Sequence, residues 1–99
     1  MLRADRWVRG AVMKLRAYDN GGVTIDRYTV IPERWIRGWS QRGISGAVLW
    51  TAVAANDYPF HPLGFGQTTE AMAGRHLGKR VPFESLPVDV QRFANQVFN

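Results

Sequence analysis

The chain contains no cysteine among its 99 residues and only two histidines. Without thiols it has no disulfide, no thiolate zinc site and no cysteine nucleophile, a composition that fits a reducing cytoplasm. Long apolar runs are missing as well. The longest, "AVLWTAVAA" at residues 47–55, falls far short of the roughly 20 residues that a membrane-spanning helix needs. The opening "MLRADRWVRGAV" has arginines but no apolar stretch behind them, so it does not read as a secretory signal. Several catalytic signatures are absent too: H-x-x-H and H-E-x-x-H spacings, a G-x-S-x-G elbow, and a Walker A loop.

What is present is an ordered chain. Apolar residues make up 45%, and four Trp, five Phe and three Tyr rule out the composition of a disordered segment. The length is that of one domain with one modest core. The net charge is +5, and its distribution is uneven: residues 1–42 carry nine basic and four acidic groups, residues 43–99 four and four. Eleven of the thirteen cations are arginine, which forks onto phosphates and carboxylates and stacks on rings. An anionic partner fits that balance, as does arginine used only for solubility.

The pattern along the chain predicts an α+β domain with a small, mostly antiparallel sheet. Residues 14–18 and 23–31 read as the strands of an N-terminal hairpin, joined by Asp19-Asn20-Gly21-Gly22, whose Asn-Gly supplies positive φ angles. Pro32 ends the second strand. Residues 33–46, "ERWIRGWSQRGISG", have no clean period and read as an irregular excursion, with a helical turn at 34–39 as the one regular element on offer. Residues 47–55 form a covered strand. Thr68 and Thr69 are expected to cap a short helix over "TTEAMAGRH", followed by an edge strand at 79–83 that Pro82 bars from the sheet centre. A C-terminal amphipathic helix follows, with Ser85 as cap and Leu86, Val90, Phe93 and Val97 on its apolar stripe.

Two segments compete for function. The loop "NDYPFHPLGFGQ" at residues 56–67 has prolines that fix φ, glycines that permit sharp turns, and rings that can pack on one another. That reads first as a rigid plug joining sheet to helices. Its functional version displays Asp57, His61 and Gln67 as a polar loop site, with His61 as general base or lone ligand and Asp57 orienting it. A metal would need His61, His76 and a carboxylate such as Asp57 or Glu70 to converge, and no spacing supports that. No cofactor and no metal are implied. The second segment offers Arg34, Trp35, Arg37, Trp39 and Arg42 as a partner-binding set, because Trp and Arg dominate protein hot spots and also stack on and pair with nucleic acid.

Three stretches, "YDNGG" with "T-DRYTVI" at 18–31, "PFHPLGFGQ" at 59–67 and "LGKRVPFESLPVDVQ" at 77–91, resemble a family of small proteins of phages, plasmids and other mobile elements. The resemblance covers about half of the chain and brings no activity with it. Members of the family begin near the position of Met13 and have a much shorter segment before the "PFHP" loop. The resemblance therefore implies that residues 1–12 are an N-terminal extension, that residues 13–99 form a single α+β domain, and that residues 33–48 are an insertion. It also implies a setting in which small inhibitors of host defence, such as anti-CRISPR proteins, are common.

The resulting expectation is a non-enzymatic, cytoplasmic binding protein: an inhibitor or accessory factor that engages a host or phage protein complex and no membrane. The rival expectation is a small basic nucleic-acid-binding module that uses Arg34, Arg37 and Arg42 together with Arg3, Arg6 and Arg9. A minor hydrolase-like site at His61 is the third.

Overall fold

Short segments rich in apolar and β-branched residues build most of the strands, and the computed structural model, which describes residues 12–36 and 50–99, arranges all of them in one antiparallel sheet. The strands are β1 (Leu15–Asp19), β2 (Tyr28–Pro32), β3 (Trp50–Ala55), β4 (Gly66–Ala71) and β5 (Lys79–Val81), in the spatial order β4-β3-β2-β1-β5. The first four form a meander of neighbours; β5 crosses back to pair with β1. A helix, α1 (Val88–Phe98), ends the chain, and short 3-10 turns sit at Arg75–Leu77 and Phe83–Ser85.

Period-two alternation sends side chains to both faces, and both are covered. On one face Ala17, Tyr28, Val30, Val53 and Ala55 meet Leu86, Val90 and Ala94, with Phe93 and Phe98 against them. On the other, Tyr18, Ile31 and Ala52 are covered by Trp35, Ile36, Ala73 and Leu77. Residues 72–78 therefore cross that second face diagonally, from the end of β4 to the start of β5. All five residues of β2 are buried, as a strand covered on both sides should be. Gly78 makes the landing feasible: at φ +108° its Cα lies so close to β1 that a Cβ would stand 2.4 Å from the Asp19 carbonyl oxygen.

The α+β class holds, and the sheet is larger than the sequence pattern indicates. Residues 66–71 are strand β4, not a helix capped by Thr68 and Thr69. Paired in unbroken register along β3, they gain a ladder that an isolated helical turn with β-branched residues at its start cannot match. The hairpin is present, but its second strand begins at Tyr28 and not at Val23. The Asn20 side chain accepts from the N–H groups of Gly22 and Val23, and Asp19 accepts from Gly21. Those bonds hold residues 20–27 as a wide loop, with Gly21 and Gly22 at φ 78° and 85°. Ser85 does not cap α1; its hydroxyl donates to the Pro82 carbonyl, and Pro87 occupies the N-cap position. Ala94, not Val97, completes the buried stripe.

Candidate functional site

Two loops leave the same end of the sheet: residues 20–27 between β1 and β2, and residues 56–65 between β3 and β4. Each is organised by an asparagine at its first position. Asn56 Oδ1 accepts from the N–H of Tyr58 at 2.9 Å and of Phe65 at 3.0 Å, and the Asn56 N–H donates to the Phe65 carbonyl at 2.9 Å. Within the loop, His61 N–H donates to the Tyr58 carbonyl and Gly64 N–H to the His61 carbonyl. Gly64 is required here, because a Cβ would overlap the Tyr58 carbonyl oxygen at 1.7 Å.

Charged and phenolic groups tie the two loops together. Arg27 forks onto Asp19 with N–O distances of 2.8 and 3.2 Å, lies over the Tyr28 ring at 5.1 Å, and reaches Asp57 at 3.9 Å. The Tyr28 hydroxyl donates to Asp57 at 2.6 Å. Burial and then the Asp57 carboxylate push the Tyr28 phenol up to about 12, so it stays neutral at ordinary pH. The Arg27 hydrogen bond holds the Asp19 carboxyl below its usual range. These pairings form a strap between the two loops.

The three polar loop residues share no hydrogen bond or ion pair with one another. Asp57 turns to Tyr28 and Arg27; His61 Nδ1 accepts from the Leu63 N–H at 3.0 Å; Gln67 lies in β4. No group of three or more metal-ligating side chains occurs among the described residues. Part of the loop does join sheet to helix, as a rigid plug would. Phe60 meets Phe93 edge-on at 5.9 Å under the Arg92 guanidinium, and Phe93 also packs on Gly66. The tip does the opposite. Leu63 is 88% exposed and Tyr58 64%, and with His61 and Gly64 they line a shallow notch. On the neighbouring loop Val23 and Ile25 are exposed too.

The arginine–tryptophan segment starts at the opposite end of the sheet, where β2 ends. Residues 33–36 form a turn of helix; Arg34 is exposed, and Trp35 is half-buried with its ring edge-on to Phe98 at 5.9 Å. Arg37, Trp39 and Arg42 lie outside the described residues, as do Arg3, Arg6 and Arg9. Four other arginines sit against carboxylates: Arg16 and Arg80 on Glu33, Arg27 on Asp19, and Arg92 on Asp89. The sequence marks Tyr28 only as a strand residue and gives Asn56 and Leu63 no role of their own. Only Asn56, a loop-forming residue directly after an apolar strand, carries a readable signal.

Compared with protein-family models, curated proteins and solved structures, the chain gives no match to any of them.

Proposed function

We propose that this chain is a non-enzymatic protein-binding module, an inhibitor or accessory factor, whose contact surface is the end of the sheet carrying the two loops. One observation supports this above the rest: the 56–65 loop is fixed by its own hydrogen bonds while Tyr58 and Leu63 stand in solvent. Apolar side chains on a rigid loop lose little conformational entropy when a partner covers them, and burying them is favourable. Exposed apolar side chains that line one notch, as Tyr58 and Leu63 do, suit a protein contact site. The resemblance to mobile-element proteins adds a direction, toward a host complex of the kind that anti-CRISPR proteins inhibit, and adds no residue. The 34–42 segment is a second contact region on the same reading, with Arg34 exposed at its start.

The test is affinity capture from host extract with the full chain, a Tyr58→Ala/Leu63→Ala variant and an Arg34→Ala/Arg37→Ala/Arg42→Ala variant, each checked for folding by circular dichroism. Loss of a defined protein complex in the loop variant alone is the expected result. Retention by the loop variant overturns the assignment of the surface. Tryptophan quenching by short nucleic acids that weakens steeply with salt favours the nucleic-acid module instead.

A further inference from the structure

The two edges of the sheet are built differently. The N–H of Asn56 bonds the carbonyl of Phe65, which makes 56 and 65 a hydrogen-bonded pair, and the register runs unbroken from Ala55↔Gly66 to Trp50↔Ala71. Antiparallel alternation then directs the backbone groups of Gln67, Thr69 and Ala71 toward β3 and turns those of Gly66, Thr68 and Glu70 outward. At the other edge, the bonds Asn20 to Arg27 and Glu33 to Lys14 set the same alternation through β1, so that Lys79 and Val81 face β1. Only Arg80 turns outward on β5, and the next outward position is Pro82, which has no N–H. That edge is short, cationic and closed by proline, the usual protection against strand addition. Strand β4 has none of these devices. It is six residues long, unbulged, without Lys, Arg or Pro, and no further strand pairs with it among the described residues.

We infer that β4 is a docking edge and that its occupant is a second copy of this chain, paired antiparallel about a two-fold axis at Thr68. In that register Thr68 lies opposite Thr68 of the second copy, and Glu70 lies opposite its Gly66. Threonine pairs are favourable across strands, and the two Glu70 carboxylates are kept at opposite ends, so no like charges face each other. The ends of the strand argue for self-pairing over an unrelated extended segment. Half-exposed Met72 follows β4 at one end, and exposed Leu63 precedes it at the other. Antiparallel pairing sets Met72 of each copy opposite Gly64 of the other, beside Leu63, so apolar groups left in water by one chain are covered by its mate. The strand pairing itself does not depend on the partner-binding reading; of the surface assigned to a partner there, it shares Leu63 alone.

Sedimentation of the full chain over a concentration series tests it, with a rise toward twice the chain mass as the expected result. Thr68→Pro removes an outward N–H while sparing the ladder to β3, so that variant keeps its circular dichroism and sediments as a monomer. A second probe uses the absence of native cysteine. Cα atoms of a hydrogen-bonded antiparallel pair lie about 5.5 Å apart, within the roughly 4.4–6.8 Å that a disulfide spans. Thr68→Cys therefore cross-links into a dimer under mild oxidation, and Glu70→Cys, whose counterpart is several residues away, does not. Three results overturn the proposal: a monomer at every concentration, equal cross-linking of the two cysteine variants, or a monomer whose β4 pairs only with an added peptide strand.

Discussion

The Tyr28 phenol, rising from the start of β2, hydrogen-bonds the Asp57 carboxylate at 2.6 Å, and this contact fastens the 56–65 loop to the hairpin. Tyr28 is itself part of the core beneath α1. A residue that packs the sheet thus also fixes the loop that projects from it, and Arg27, between Asp19 and Asp57, repeats the linkage in charge.

Tyr28→Phe preserves the packed ring and deletes the linkage. The loss is expected at about 1–2 kcal/mol, the range for a hydrogen bond to a partly exposed charged acceptor. Alkaline titration gives an independent reading. The Tyr28 pKa is raised on folding to about 12, so its contribution is complete below the ordinary tyrosine value of about 10 and disappears as pH climbs through 12. Urea unfolding across that window should show a decline in the native protein that is smaller in Tyr28→Phe.

Asp19 behaves in the opposite sense. Its native pKa is lowered by Arg27, with the Gly21 N–H assisting, so its contribution is present above the unfolded value of about 3.9 and is lost as pH falls through the lower native value. Asp19→Asn should be less stable than the native chain at neutral pH and converge with it in acid. Melting temperature followed from pH 6 downward checks this, and parallel curves would refute it.

Glu33 is the buried acid at the far end of the sheet. Arg16 holds it through two hydrogen bonds, one of 2.8 Å from Nε and a second from Nη2, and Arg80 stands at 3.6 Å. Glu33→Ala strands the largely covered Arg16 guanidinium without its carboxylate. Removing one partner of such a pair costs about 2–4 kcal/mol, reduced here because Arg80 is solvated. Denaturant midpoints of Glu33→Ala and of an Arg16→Met/Glu33→Leu double variant separate pair loss from charge burial: the double variant should recover much of the deficit.

Local chemistry made much of this fold readable. Asn20-Gly21-Gly22 announces a hairpin, the apolar run ending at Ala55 announces a covered strand, and Pro82 confines β5 to an edge. Strand β4 was not readable, because "GQTTEA" is polar and its conformation comes from the ladder with β3, not from its own preferences. The strap at the candidate site was equally hidden. Tyr28 and Asp57 are separated by 28 intervening residues, and nothing local to either one signals the other. His61 is one of only two histidines in the chain, and in the fold its Nδ1 accepts an N–H from its own loop.

Gly64 separates loop shape from core stability. A methyl group there overlaps the Tyr58 carbonyl, so Gly64→Ala must displace the turn that holds Tyr58, His61 and Leu63. The rest of the attachment, the bonds between Asn56 and Phe65, lies at the base of the loop and is left in place. Thermal unfolding should therefore fall by only about 1–3 kcal/mol, the scale of local backbone strain. Cleavage by chymotrypsin after Phe60 or Leu63 should accelerate at the same time, and capture of a protein partner should fail. If the variant binds its partner as the native chain does, the tip of this loop is not the contact surface.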